Sequence, residues 1–397
     1  MRRVVLATAV ATTACVFPPF LLGGMAVQIR ADLGFSEAGT GLGVAAFFAT
    51  ASAFSAVLGR WAERNGGDRG LRLAALGSAV VQVAIAGLAG SLPILLVLLA
   101  LAGTANALAQ PAANLVISRA LPLHRQGLGF AVKQSAIPAS TLLAGLAVPA
   151  IALTVGWRWA FVASALLSLT SAAAVPAEGR WRGRPVAAPF EGSGRAPMGT
   201  MAVLSLGIAL GAAAAGTLGA FLVSAGVEAG LAPGSAGLTL TLGSAVGIAV
   251  RLLAGLRADR RGGGHLRVVA VMLALGSVAF ALFATGRPGV IVAAVPLAFG
   301  AGWAWPGLFN LAVVLANPGS PAAATGITQT GTYLGAVAGP LAFGFLAEHV
   351  SFTAAWLVAA ATAAGASAAI WTGRAMLRRT RLATGVAAAD PLPPLPA

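Results

Sequence analysis

The stretch "GRWAERNGG", Gly59–Gly67, returns in the second half of the chain as "GLRADRRGG", Gly255–Gly263. Other short patterns repeat at nearly the same offset of 195 or 196 residues. The paired positions are Glu63 with Asp259, Arg64 with Arg260, Asn114 with Asn310, and Gln134 with Gln329. A near-constant offset of about half the chain indicates two similar units in tandem, both in the same orientation.

The composition places these two units in a membrane. Of the 397 residues, 58% are hydrophobic and only 9% are charged, which excludes an ordinary soluble domain. The 52 glycines suit helices that pack closely in lipid. The single cysteine, Cys15, excludes an intrachain disulfide, and the three scattered histidines lack metal-ligand spacing. We therefore expect an integral membrane protein without a metal or another cofactor.

Apolar segments of about 20 residues, the length that crosses a bilayer, predict twelve transmembrane helices. In the first half they cover residues 4–29, 37–59, 71–90, 93–117, 127–154 and 159–176. In the second half they cover residues 200–224, 234–256, 267–285, 289–315, 322–346 and 354–374. The predicted domains are a six-helix unit at 1–176, a linker at 177–199, a six-helix unit at 200–374 and a disordered, Pro-rich tail at 375–397.

The basic residues predict the orientation. With both termini in the cytoplasm, twenty of the 25 lysines and arginines lie on that side and three lie outside, as the positive-inside rule requires. The net charge of +15 then faces anionic lipid, a better explanation than nucleic-acid binding. The expectation is a multi-pass protein of the cell membrane, such as a bacterial inner membrane, and a monomer with no nucleic-acid partner.

With these motifs the chain resembles the major facilitator superfamily of secondary transporters, from about residue 4 to residue 374. The family's signature between the second and third helices is Gly, three residues, Asp, Arg, one residue, Gly and then basic residues. Both repeat copies match it, although the first has glutamate for aspartate. The matching positions are Gly59, Glu63, Arg64 and Gly66, and Gly255, Asp259, Arg260 and Gly262 or Gly263. The resemblance implies an all-α fold of two six-helix bundles related by a pseudo-two-fold axis.

The resemblance also implies a function for the signature loops. In similar transporters they form a conformational latch that closes the cytoplasmic side when the protein faces outward. Glu63 is then expected near the start of the eleventh helix, and Asp259 near the start of the fifth. A carboxylate near a helix N-terminus is favoured by about 0.3–1 kcal/mol. The alternative, that these charges are only solvated topology signals, stays open.

Polar residues within the spans are the candidates for a substrate cavity. Asn106, Gln110 and Asn114 recur at i, i+4 and i+8 in the fourth helix and so share one stripe. Because amides are unfavourable against lipid, the stripe faces either a cavity or a neighbouring helix, and both readings stay open. The remaining polar and aromatic candidates for substrate contact are Gln134, Trp303, Asn310, Gln329 and Tyr333.

Two cations in the spans are the main indication of the substrate. Lys133, in "GLGFAVKQSAIPAS", is the only lysine of the chain, and Arg251 lies in the eighth helix. No aspartate or glutamate falls inside a predicted span. The resemblance makes the fifth and eighth helices neighbours at the interface of the halves, so an anion there would neutralise both cations. A purely structural role, with the side chains reaching toward the membrane surface, stays open for each.

These observations predict a secondary active transporter of a small organic or inorganic anion that works by rocker-switch alternating access. The pattern "GFAVKQSAIP" is most similar to the cyanate-permease-like branch of the superfamily. A coupling proton is possible through Glu37 or Glu228 near the outer mouth. Efflux of drugs or natural products is the alternative, although the exporters' "GxxxGPxxGG" pattern is absent from the fifth helix. An enzyme is not expected, because the spans lack a nucleophile with a base.

Overall fold

The computed structural model describes residues 2–121, 129–130, 132–175, 196–258, 263–317 and 321–383. The helices of the first half are α1 Arg2–Gly24, α2 Ala26–Leu33, α3 Glu37–Asn65, α4 Gly67–Leu88, α5 Leu92–Ala120, α6 Ala136–Ala147 and α7 Arg158–Ala174. Those of the second half are α8 Met198–Glu228, α9 Pro233–Ala258, α10 His265–Phe283, α11 Pro288–Leu297, α12 Pro306–Ala316, α13 Pro321–His349 and α14 Phe352–Ala383. These described residues contain no strand, which confirms the predicted all-α fold.

The helices account for the predicted spans. Among the described residues, eleven helical segments are long and apolar enough to cross a membrane. At the predicted sixth span lies α7, which is apolar but has only 17 residues. The fifth span is a continuous segment at Val132–Ala152, and α11 and α12 together form the tenth at Pro288–Ala316.

Two spans contain irregular turns where a single straight helix is predicted. A π-helical turn, Val148–Ala152, extends α6, and another, Ala298–Gly302, follows α11. After the second turn the chain is not helical until Pro306. Proline has no N–H group to donate to the carbonyl of Gly302, four residues earlier. The indole Nε1 of Trp305 donates to that carbonyl instead, at 2.8 Å.

The helix ends differ from the predicted ends because hydropathy marks the hydrocarbon boundary, not the end of backbone hydrogen bonding. The last helix, α14, continues to Ala383, so residues 375–383 are helical and do not belong to a disordered tail. Basic residues in its final turns are favourable near a helix C-terminus. At the linker, α8 already begins at Met198. Residues 177–195 and 384–397, which carry the rest of the predicted linker and tail, lie outside the described residues.

Close contacts between the two halves lie on one side of the bundle. We call this the distal side, opposite the terminal side, where α1 begins and α14 ends. A Cβ atom on Gly145 of α6 would lie 2.4 Å from the carbonyl oxygen of Gly237 on α9. A Cβ atom on Gly41 of α3 would lie 2.4 Å from the oxygen of Pro340 on α13. Only glycine permits this approach, so the halves meet backbone to backbone at the distal side.

An ion pair holds the first half together on the same side. The carboxylate of Asp32 lies 2.5 Å from Nη1 of Arg158 and accepts a hydrogen bond from Nε1 of Trp157 at 3.1 Å. The hydrogen bond from Arg158 holds the pKa of the Asp32 carboxyl below its ordinary value. Arg158 also donates to the carbonyl of Ala89 at 3.0 Å. The residues of "GWRWAF" therefore connect α2 and the end of α4 to the start of α7.

The contact between α6 and α9 predicts the effect of a single added methyl group. We expect Gly145→Ala to lower the melting temperature in detergent, because the new Cβ forces the two helices apart at a cost of about 1–3 kcal/mol. Gly87→Ala on α4 is the control, since nothing lies within 4 Å of its Cβ position. Equal melting temperatures for the two variants would contradict the close approach.

Candidate functional site

Lys133 is bound by the polar stripe of α5. It lies in the span Val132–Ala152 and is 4% exposed. Its Nζ donates to Oε1 of Gln110 at 2.5 Å, and Nε2 of Gln110 donates to Oδ1 of Asn106 at 3.1 Å. The amide of Gln110 therefore presents its oxygen to the ammonium group and its NH₂ group to the next residue of the stripe. Two residues of the predicted stripe form one hydrogen-bonded chain that ends on the buried lysine.

Arg251 connects the two halves beside this lysine. From α9, its Nη1 donates to the carbonyl oxygen of Gln134 at 3.1 Å, and its Nη2 donates to the carbonyl oxygen of Trp303 at 2.6 Å. Gln134 follows Lys133 in the first half, whereas Trp303 lies in the irregular turn before α12. The Nε atom is buried and has no hydrogen-bond partner. The planar guanidinium group thus spans the interface with two of its three nitrogens.

The site has two positive charges and no acidic partner within the described residues. The ion pairs of the described residues, Arg30 with Glu37 and Arg158 with Asp32, lie away from this site, toward the distal side. Lys133 and Arg251 instead contact neutral oxygen atoms of one amide side chain and two backbone carbonyls. Removing a charge from water costs several kcal/mol unless other groups compensate for the loss. This arrangement therefore favours a negatively charged ligand.

Hydroxyl groups continue the interface between α6 and α9 toward the distal side. Oγ1 of Thr241 donates to the carbonyl of Leu142 at 3.3 Å, and Oγ of Ser244 donates to Oγ1 of Thr141 at 2.7 Å. Sequence reasoning missed these contacts. The signal for them was the spacing of Thr241, Ser244 and Arg251, three and seven residues apart, which places them on one face of a helix. That face carries most of the polar bonds between these two helices.

The tryptophans of the tenth span have different surroundings. Trp303 is 8% exposed, and its ring centre lies 6.1 Å from that of Phe20 on α1 and 5.6 Å from that of Phe299. It therefore packs between the halves, next to the carbonyl group that Arg251 binds. Trp305 is buried inside the second half and has its ring against Phe309. Of the two rings, only Trp303 reaches the interface with the first half.

The other predicted substrate residues do not hydrogen-bond to either cation in the described part of the chain. Asn114, the third member of the stripe, and Gln329 are exposed, and Asn310 is half-buried. Tyr333 is half-buried, and its hydroxyl lies near the side chain of Ser55 across the interface of the halves. These four residues remain predictions for substrate contact.

The described part of the predicted latch is not engaged on the terminal side. Gly66 has a φ of 104° and forms the tight turn between α3 and α4. Glu63 and Arg64 in the last turns of α3 are exposed, and Glu63 forms no hydrogen bond or ion pair with a described residue. Asp259 and Arg260 lie outside the described residues, whereas Gly255 and Gly263 have nothing near their Cβ positions. The latch contacts remain predictions for a conformation closed on the terminal side.

Replacement of Arg251 by lysine tests the two hydrogen bonds that its guanidinium group donates to backbone carbonyls. We expect Arg251→Lys to keep the charge but to lose at least one of the two carbonyl partners, which leaves a buried oxygen without a donor and costs about 1–3 kcal/mol. The measurement is the melting temperature in detergent. Arg257→Lys is the control, because Arg257 is exposed on the same helix. A melting temperature that drops equally in both variants would argue against the bridge.

Comparisons with known proteins agree with this architecture. Residues 5–198 match the model of the Major Facilitator Superfamily. No curated protein matches the sequence. A solved bacterial homologue of the human lysosomal transporter Spinster, in an inward-facing and occupied conformation, has a TM-score of 0.73 at 17% identity and covers 99% of this chain and 98% of its own.

Two sugar transporters have the same overall structure. A D-xylose-proton symporter has a TM-score of 0.73 at 17% identity, over 93% of this chain and 97% of its own. The Escherichia coli xylose transporter XylE, inward open, has a TM-score of 0.74 at 16% identity, over 92% and 94%. The chain therefore has the fold of the major facilitator superfamily, and its residues 5–198 match that family.

Proposed function

We propose that this chain is a secondary transporter of the major facilitator superfamily that moves a small organic or inorganic anion across the cell membrane. The observation that carries the proposal is the pair of cations, the buried Lys133 and the half-buried Arg251, one from each half, without an acidic partner among the described residues. The assignment to the cyanate-permease-like branch rests on the sequence pattern around Lys133 alone.

The free donors of the site define how an anion binds. Among the described residues, Lys133 uses one of its three N–H groups on Gln110, so two remain for a ligand, and Nε of Arg251 has no partner. In a site of low dielectric constant, each contact between a donor and a negative oxygen is stronger than in water. Because each half contributes one cation, a bound anion attracts both halves and lowers the cost of bringing them together.

The observed contacts assign the conformation. The halves meet at the distal side through α3 with α13 and α6 with α9, and the latch residue Glu63 is free on the terminal side. If the termini are cytoplasmic, as the positive charges favour, this state faces inward. Alternating access then requires separation of the distal contacts and closure of the terminal side around the site.

The proposal includes a source of energy for transport, the movement of a coupled proton. In the described spans the two cations have no titratable carboxylate beside them, so a proton is carried either with the anion or by acidic residues near the distal end. Glu37 and Glu228 line a distal cleft of about 500 Å³. The chain is proposed to act as a monomer in the lipid bilayer.

A carboxylate placed inside the site tests the anion proposal. We expect small carboxylates and inorganic anions, screened one by one, to raise the melting temperature of the wild type. By mass action, a ligand at 100 times its Kd adds about 2.7 kcal/mol. Gln110→Glu supplies an internal negative charge to Lys133, so this variant is expected to fold but to lose the anion-dependent shift, as is Lys133→Ala.

The matched control is Gln28→Glu, which makes the same substitution on α2, on the distal side and outside the site of the two cations. It is expected to keep the shift. Equal stabilisation of all four proteins by anions would exclude Lys133 as the binding cation. Tracer uptake of the stabilising anion into proteoliposomes then tests transport, whereas stabilisation by apolar compounds alone would favour drug efflux.

A further inference from the structure

A carboxylate from the second half caps a helix of the first half at the distal side. Glu348 lies in the last turn of α13, and its Oε2 accepts a hydrogen bond from the backbone N–H of Ala38 at 3.0 Å. Ala38 is the second residue of α3, and the first N–H groups of a helix have no acceptor within the helix. The contact therefore joins a negative charge to the positive end of a helix dipole.

This cap requires the halves to be closed at the distal side. A Cβ atom on Gly344, one turn before Glu348, would lie 2.7 Å from the carbonyl oxygen of Glu37. The Gly41 contact with Pro340 lies one turn further along the same pair of helices. Separation of α3 from α13 at this end breaks the hydrogen bond, so the cap belongs to this conformation only.

The charged groups around Glu348 offer its carboxylate no free cation, so the cap on α3 is its favourable contact. Glu37, on α3, pairs with Arg30 of α2 at 2.5 Å. Glu228, at the end of α8, lines the same cleft as Arg30 and Glu37, and His349 follows Glu348 on α13. Of these groups, Arg30 is the only fixed cation, and it is already bound to Glu37. The start of α3, with the N–H of Ala38 and the side chain of its N-cap residue Ser36, is therefore the partner of Glu348 in the closed state.

The geometry of the helix pair gives this contact a counterpart. Because α3 and α13 are antiparallel, the C-terminal turn of each lies beside the N-terminal turn of the other. On α3 the last turns carry Glu63, exposed and without a partner among the described residues, on the same side as the N-terminus of α13 at Pro321. Each helix thus carries a carboxylate at the end where its partner begins.

We propose that Glu348 is a distal lock: it caps α3 when the distal side is closed and so acts against the latch at Glu63, which the family resemblance implies for α13 when the terminal side is closed. The inference rests on the alternating access of the proposed function. Only one cap is formed in each state, so the two carboxylates act in opposite directions. The balance of their strengths sets the ratio of the two conformations in the absence of substrate.

Labelling of a reporter cysteine tests the distal lock without any substrate. Ser224→Cys in a Cys15→Ala background places a thiol on α8 that is buried in the closed state, since Ser224 is 3% exposed. We expect Glu348→Ala to raise its rate of reaction with a membrane-impermeant maleimide about two- to fivefold, the range of a helix-end charge interaction. Glu63→Ala is expected to lower the rate, and the double variant to return it toward the starting value.

The control is His349→Ala, which removes the exposed neighbour of Glu348, a ring that bonds to the carbonyl of Phe345 in its own helix. It is expected to leave the rate unchanged. The proposal is overturned if Glu348→Ala matches His349→Ala, or if Glu63→Ala changes the rate in the same direction as Glu348→Ala. Should Glu348→Ala fold poorly, Glu348→Gln retains an acceptor for Ala38 and is expected to give a smaller increase in the same direction. If anions do not shift the melting temperature, the proposed anion site is wrong. The labelling rates do not depend on that result and test the distal lock separately.

Discussion

Hydrocarbon cannot solvate a charge, so a cation within a membrane span must obtain its oxygen atoms from the protein itself. Lys133 and Arg251 obtain theirs from Gln110 and from the carbonyls of Gln134 and Trp303. These partners belong to α5, the start of the fifth span and the irregular turn of the tenth span, and Arg251 itself belongs to α9. The two charges thereby fix the position of four separate elements, and the interface of the halves is built around them.

Apolar packing also joins the halves, as between Phe20 and Trp303, but the polar contacts between them are small. On the distal side, glycine backbones touch, hydroxyls form single hydrogen bonds, and one carboxylate caps one helix. Each contact contributes little, and most leave no buried charge behind when they break. In the proposed alternation between two closed ends, small polar contacts of this kind make the distal side easier to open. The weak distal side and the charged centre therefore serve different purposes.

Much of the fold was predictable from the sequence. Hydropathy over about 20 residues is a strong signal, so the spans appear close to their predicted positions, and the repeat predicted two similar halves. The spacing of Asn106 and Gln110 also predicted a shared face, which the structure confirms. Helix ends outside the lipid were not predictable from hydropathy, since α14 continues on backbone hydrogen bonds after its apolar residues end.

The details of the site were less accessible because they depend on tertiary contacts. Gln134 was predicted to act through its side chain, yet its backbone carbonyl accepts the bond from Arg251. The carbonyl of Trp303 is oriented by an irregular turn that no periodicity reveals. Glu348 and Ala38 are separated by 310 residues, so only the packing of α3 against α13 shows that one caps the other.

The sequence uses one lysine among 25 basic residues, and the geometry of the site gives this choice a physical reason. Arginine is suited to bridging two fixed carbonyls, because its donors diverge from a rigid plane, and Arg251 does so across the interface. The ammonium group of Lys133 is compact and has one acceptor in the described part of the chain, where its other two N–H groups have no partner. An arginine at position 133 would be larger and would direct its donors along fixed axes, so it would fill the space that a ligand needs. The two cations are therefore not interchangeable: Arg251 connects the halves, and Lys133 is the one with donors to offer.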